Sequence, residues 1–126
     1  MHNIYHQGLD LLMQVDGLLA AEQENILGRE RHNTNKIYLY RLGDCWAAFN
    51  KSAFLMEQTS MTSDLPEVFE LHGTPFQLVM HIIDDQQVRI ICRNKYSEIR
   101  NSQHIQLSSI PIDTTAYNSW YNDAVY

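Results

Sequence analysis

Cysteine, proline and glycine are all scarce in this chain, at two, three and five residues among 126. The two cysteines, Cys45 and Cys92, stand far apart, with no CxxC and no histidine at ligand spacing. That fits a reduced, cytoplasmic protein better than a disulfide framework. Proline and glycine are rare enough for each one to be read as punctuation, and no low-complexity tract is present, so disorder is not expected. Basic residues are short as well: 9 Lys and Arg stand against 15 Asp and Glu, a formal net charge of -6. Such a balance gives no general basic face to draw the protein onto phosphates. Long apolar runs are missing too. No segment approaches the roughly 18 apolar residues that span a bilayer. The opening MHNIYHQGLDLLMQ has neither a basic n-region nor a small-residue cleavage site, so neither a signal peptide nor a membrane anchor is expected.

What is present reads as one domain, residues 1–126. Hydrophobic residues make up 44% of the chain and charged ones 19%. A chain of this size buries roughly two-thirds of the surface that its unfolded form exposes, around a single core. Residues 1–28 read as an N-terminal amphipathic helix. Leu11, Val15, Leu18, Leu19 and Ile26 recur with helical period, Glu22 to Asn25 lie on the other side, Gly17 is a candidate break, and Gly28 stands just past the helix end. A polar link, Arg29 to Asn35, holds the densest basic cluster.

The stretch KIYLYRLGDCWAAFNKSA, Lys36 to Ala53, is the centre of the pattern. Lys36 to Leu42 leaves almost no polar face, as in a central strand covered on both sides. Gly43 permits a turn, and Asp44 is placed to cap a helix whose inward face carries Trp46, Phe49, Ala53 and Met56. Val68 to Leu71 predicts a short strand. Gly73, Thr74 and Pro75 predict a turn and helix start, and Phe76, Val79, Met80 and Ile83 one face of a helix closed by Asp84 and Asp85, whose charge is poorly placed there. VRIIC, Val88 to Cys92, predicts a strand. Ile105, Leu107 and Ile110 alternate as an edge strand ended by Pro111, and Tyr117, Trp120 and Tyr121 lie on a short helix as core cover. The class is α/β or α+β: a mixed β-sheet flanked by helices, with 36–93 as its centre and 94–126 as a C-terminal extension.

Two segments together resemble a known family. Tyr40-Arg41-Leu42-Gly43-Asp44-Cys45-Trp46-Ala47-Ala48-Phe49 followed by Ala53 is similar to the YRMGDFYELF…A signature of the N-terminal, mismatch-reading domain (domain I) of the MutS DNA repair proteins. His72-Gly73-Thr74-Pro75-Phe76 and LVMHIIDDQQVRIIC resemble that domain's later AGxPYHA…VAIxEQ stretch, in the same order. The resemblance implies a MutS domain I-like fold and a stand-alone relative of one recognition module. In that family a Phe stacks on the mismatched base and a Glu hydrogen-bonds it. The matching positions here are Cys45 and Ala47, which offer neither ring nor acceptor, whereas base stacking on an aromatic is worth about 1 to 3 kcal/mol. No GxxxxGK[ST] loop occurs, so nucleotide hydrolysis is not implied.

No catalytic motif emerges, and the chain reads as a non-enzyme without cofactor or metal. Cys45 at an expected helix N-terminus would have a lowered pKa, yet no base stands near it in sequence. The six histidines form no HxH or HExxH pair; only His2 and His6 share an i, i+4 spacing. The expected function is a binding module whose Phe-x-Glu is lost, with a protein partner or a second copy preferred. The alternative is double-stranded DNA, held by its backbone or shape through Arg29, Arg31, Lys36, Arg41 and Lys51.

Overall fold

The computed structural model describes residues 8–71 and 77–126. Ten elements follow one another: α1 (Gly8–Arg31), β1 (Lys36–Leu42), β2 (Cys45–Phe49), α2 (Lys51–Gln58), β3 (Glu67–Glu70), β4 (Gln77–Asp84), α3 (Asp85–Asn94), β5 (Ser97–Arg100), β6 (His104–Ser108) and α4 (Thr114–Val125). The strands form one sheet in the order β3-β4-β2-β1-β6-β5. The fold is α+β, and every strand pair is antiparallel where a mixed sheet was expected. The turn and cap expected at Gly73, Thr74 and Pro75 lie outside the described residues, as do His2, His6, His72 and Phe76.

Strand alternation sorts the sheet into two apolar faces. Tyr40, Leu42, Ala47, Phe49, Leu78 and Met80 meet Val15, Leu19 and Ile26 of α1 on one face. Ile37, Leu39, Trp46, Ala48, Ile83, Ile105 and Leu107 meet α2, Val88 of α3 and Trp120 of α4 on the other. The sheet is thus sandwiched, α1 alone on one side and three helices opposite. Tyr117 and Trp120 close over Phe54 with ring centroids at 5.7 and 5.5 Å, the aromatic cover that their spacing predicts.

Several expected boundaries are corrected. α1 runs through Gly17 and Gly28 to Arg31, since its buried stripe continues past Ile26 to Glu30. Asp44 caps no helix: Gly43 and Asp44 are the two-residue loop of a hairpin joining β1 to β2, with Leu42 opposite Cys45. Gly43 has φ 59, the left-handed value that a two-residue hairpin needs at its first loop position. All five residues of β2 are buried, so Trp46, Phe49 and Ala53 match a helical spacing by coincidence. The break before α2 falls at Asn50, φ 49, held by its amide donating to the Val79 carbonyl at 2.7 Å and its Oδ1 accepting from the Val79 amide at 3.0 Å.

The segment 77–94 is exchanged relative to expectation. Gln77–Asp84 is a strand buried on both faces, between β2 and β3, and Asp85–Asn94 is a helix. Val88, Ile91 and Cys92 are the i, i+3, i+4 face of α3, while Ile90 is 49% exposed. Asp84 and Asp85 therefore open a helix instead of closing one, and their charge suits its dipole; Asp84 caps it by accepting from the Gln87 amide at 2.7 Å. β6 is not an edge. It lies between β1 and β5, so residues 97–108 extend the central sheet by two strands.

Candidate functional site

A concavity lies at the end of β4. β3 begins at Glu67, opposite Met80, while β4 continues to Asp84. Asp64 and Leu65 of the loop 62–66, and Leu11 and Leu12 near the start of α1, border that overhang. The result is a cavity of ≈ 780 Å³, within the range of ligand sites. Leu11, Leu12, Phe69, Met80 and Ile82 give it an apolar floor; Asp64, Glu67 and Asp84 put three carboxylates on it, and no Lys or Arg lines it. Leu65, 89% exposed, stands at its mouth. A smaller cavity of ≈ 500 Å³ shares Asp84 and Gln87 and extends over α3 to Ile90 and Asn94.

Of the lining carboxylates, Asp84 stood out in the sequence, read with Asp85 as a helix end, while Asp64 and Glu67 did not. The signal was present as an apolar Leu65 set among Asp64, Pro66 and Glu67 in a polar loop, but only the overhang of β4 makes it a site.

The five cations expected to hold a phosphate backbone are scattered. Lys36 and Arg41 stand five positions apart on β1, so their side chains leave opposite faces of the sheet. Lys36 is ion-paired with Glu98, whose carboxyl is held well below the usual range by hydrogen bonds from Lys36 and Ser108. Arg41 reaches Asp85 at 3.0 Å and lies over the Trp46 ring at 5.1 Å. Asp85 also accepts from Trp46 Nε1 at 2.9 Å and from Arg89 at 2.8 Å, and these bonds keep it ionised below its ordinary pKa. Arg29 donates to the Tyr40 hydroxyl at 3.2 Å. Arg31 and Lys51 meet, with Lys51 Nζ donating to the Arg31 carbonyl at 3.3 Å.

The two positions that the sequence resemblance sets against the mismatch-reading pair, Cys45 and Ala47, are inside the protein. Ala47 is fully buried beneath α1, and Cys45, 4% exposed, shares its face by strand alternation and lines the cavity. The Cys45 thiol is also not at a helix N-terminus. Burial pushes it up to about 11, helped by the Asp44 carboxylate that accepts from Sγ at 3.5 Å, the reverse of the lowered pKa that a helix start would give.

Two buried polar clusters tie the helices to the sheet. His81, 2% exposed, meets the Glu57 carboxylate at 2.6 Å, and Trp120 Nε1 donates to the same oxygen at 2.9 Å. Glu30, 3% exposed, accepts from the Ser52 amide at 2.9 Å and from Ser52 Oγ at 2.6 Å. It thereby caps α2 from another helix, since Asn50 makes no side-chain cap. Burial raises the Glu30 carboxyl to about 7 against the lowering effect of Ser52. Among the described residues, no group of three or more His, Cys, Asp or Glu could hold a metal ion, and no helix is long and apolar enough to cross a membrane.

Fold and cavity together define an α+β protein with a helix-covered antiparallel sheet and an anionic groove at a strand end. In comparisons with protein-family models, curated proteins and solved structures, the chain matches none.

Proposed function

We propose that this chain is a non-catalytic module that binds another protein, on a scaffold of MutS domain I type whose mismatch-reading pair is replaced by Cys45 and Ala47. The observation that carries the reading is the groove at the end of β4. It is apolar at its floor and carries three carboxylates without a Lys or Arg, a surface that repels phosphate and accepts an apolar, positively charged segment. Three of the five cations that a duplex would need are already bonded to Glu98, Asp85 and Tyr40. Ala47 is buried against α1 and Cys45, 4% exposed, lines the groove; neither offers a ring or an acceptor to a base. Catalysis by the thiol is disfavoured by the same burial that raises its pKa. Two free cysteines suit a reduced, cytoplasmic setting.

Fluorescence anisotropy separates the protein reading from the DNA one. Labelled duplexes, matched and mismatched, are expected to leave the signal unchanged at low salt, while a library of basic peptides is retained by the immobilised chain. Tight duplex binding that weakens steeply with salt would overturn the proposal.

A further inference from the structure

Exposed strand edges invite further strands, and both edge strands of this sheet carry the features that discourage them. β3 is short and bears Glu67 and Glu70; β5 bears Glu98 and Arg100 and is irregular between Ser97 and Ile99. The overhang of β4 carries a single charge, Asp84, at its end. Val79 uses both its amide and its carbonyl on Asn50, at the end of β2. By strand alternation Ile82, three positions on, turns its amide and carbonyl the opposite way, towards the line of β3. Among the described residues β3 pairs with β4 no further than Glu67 opposite Met80. Among the described residues Ile82 thus has no backbone partner on that side, and its donor and acceptor face the groove.

We propose that this groove takes an extended, basic segment of a partner protein, which adds to the sheet beside Ile82 in line with β3. The proposal rests on the protein-binding reading above and names its partner chemistry. Backbone pairing supplies the register, and the period of two of a strand places alternate side chains. Glu67 is opposite Met80 and Asp84 is two positions from Ile82, so both carboxylates share a face with the apolar floor of Phe69, Met80 and Ile82; the occupant's side chains on that face are apolar over the floor and cationic beside the carboxylates. The charge of the occupant follows from those carboxylates and from the absence of any Lys or Arg in the lining.

The probe is a short fluorescein-labelled peptide of paired lysines and paired valines in turn, which puts both kinds of side chain on each strand face, titrated into the full chain, with amide exchange followed by NMR. Saturable binding is expected, with slowed exchange of the Ile82 amide. The double variant Asp64→Lys, Glu67→Lys, both at exposed positions, is expected to bind roughly tenfold more weakly while keeping its circular dichroism. N-methylation of alternate peptide residues removes the donors along one edge, so one of the two N-methylated forms is expected to lose binding and the other to keep it.

Equal binding of a peptide with glutamate in place of lysine, or binding that leaves Ile82 exchange unchanged, overturns the groove proposal and leaves protein binding through another surface standing. No binding of the lysine peptide overturns it as well; if duplex DNA binds tightly in its place, the protein-binding reading falls with it. Protection of Ile82 that grows with protein concentration alone assigns the edge to a second copy and likewise overturns the basic partner.

Discussion

Glu30 is the residue whose chemistry departs furthest from its neighbours. Its carboxyl is buried beneath the junction of α1 and α2, with Ser52 on both oxygens and Asn33 Nδ2 at 3.4 Å. A carboxyl raised from 4.5 to about 7 holds its proton in the folded chain when the unfolded chain has released it. Below 4.5 both states are protonated and the stabilising difference is fully present; as pH rises through about 7 it is lost, an effect on the order of 3 kcal/mol. The melting temperature is therefore expected to fall between about pH 5 and pH 7.5. Glu30→Gln keeps an oxygen for the Ser52 amide and has no proton to lose, so its melting temperature should stay level across that window. A wild-type profile as flat as that of the variant would show that Glu30 ionises normally in place. In sequence this residue looked like a solvated member of a charged link, because nothing local announces that its partner lies 22 positions away on Ser52.

The elements divide by how each one buries its side chains. β1 was legible because seven residues of nearly continuous apolar character precede a glycine that the turn requires. α1 was legible as a helix because only one of its faces is covered, which leaves a period to read. β2 and β4 are covered on both faces, and a short run that is apolar throughout carries no period, so helical spacings could be found in it by chance. The strand expected at Val88 to Cys92 failed in the opposite sense: its β-branched residues outweighed the cap that defines the helix. That cap is measurable. Asp84→Ala removes the acceptor of the Gln87 amide and is expected to cost about 1 kcal/mol, seen as a lower denaturant midpoint at unchanged slope. Asp84→Asn, which can still accept, should stay close to wild type. A full loss with asparagine would mean that the charge on the helix dipole, and not the cap, is what Asp84 contributes.

For the whole molecule, the position of each strand in the order β3-β4-β2-β1-β6-β5 sets how it can open. β1 and β2 have strands on both sides and helices on both faces, and Ile37, Leu39, Ala47, Ala48 and Phe49 are all fully buried. Releasing either one requires both apolar clusters to come apart, which amounts to global unfolding. β3 and β5 have one neighbour each, and Val68 and Ile99 are 37% and 42% exposed. They can detach while the two clusters remain. The same geometry explains why the candidate site was only partly legible: the groove is made by where β3 stops relative to β4, a register that depends on long-range pairing and leaves no mark on any one segment. Hydrogen exchange read by mass spectrometry is expected to rank the strands accordingly. Peptides covering 36–49 should exchange only at the rate of global unfolding, and those covering 67–70 and 97–100 much faster, through local opening. Peptides over 77–84 should separate into a slow first half under β3 and a faster second half at the overhang. Protection of 81–84 as strong as that of β1, in dilute protein with no peptide present, would mean that the edge at Ile82 is already covered, and the groove would then have no room for a partner strand.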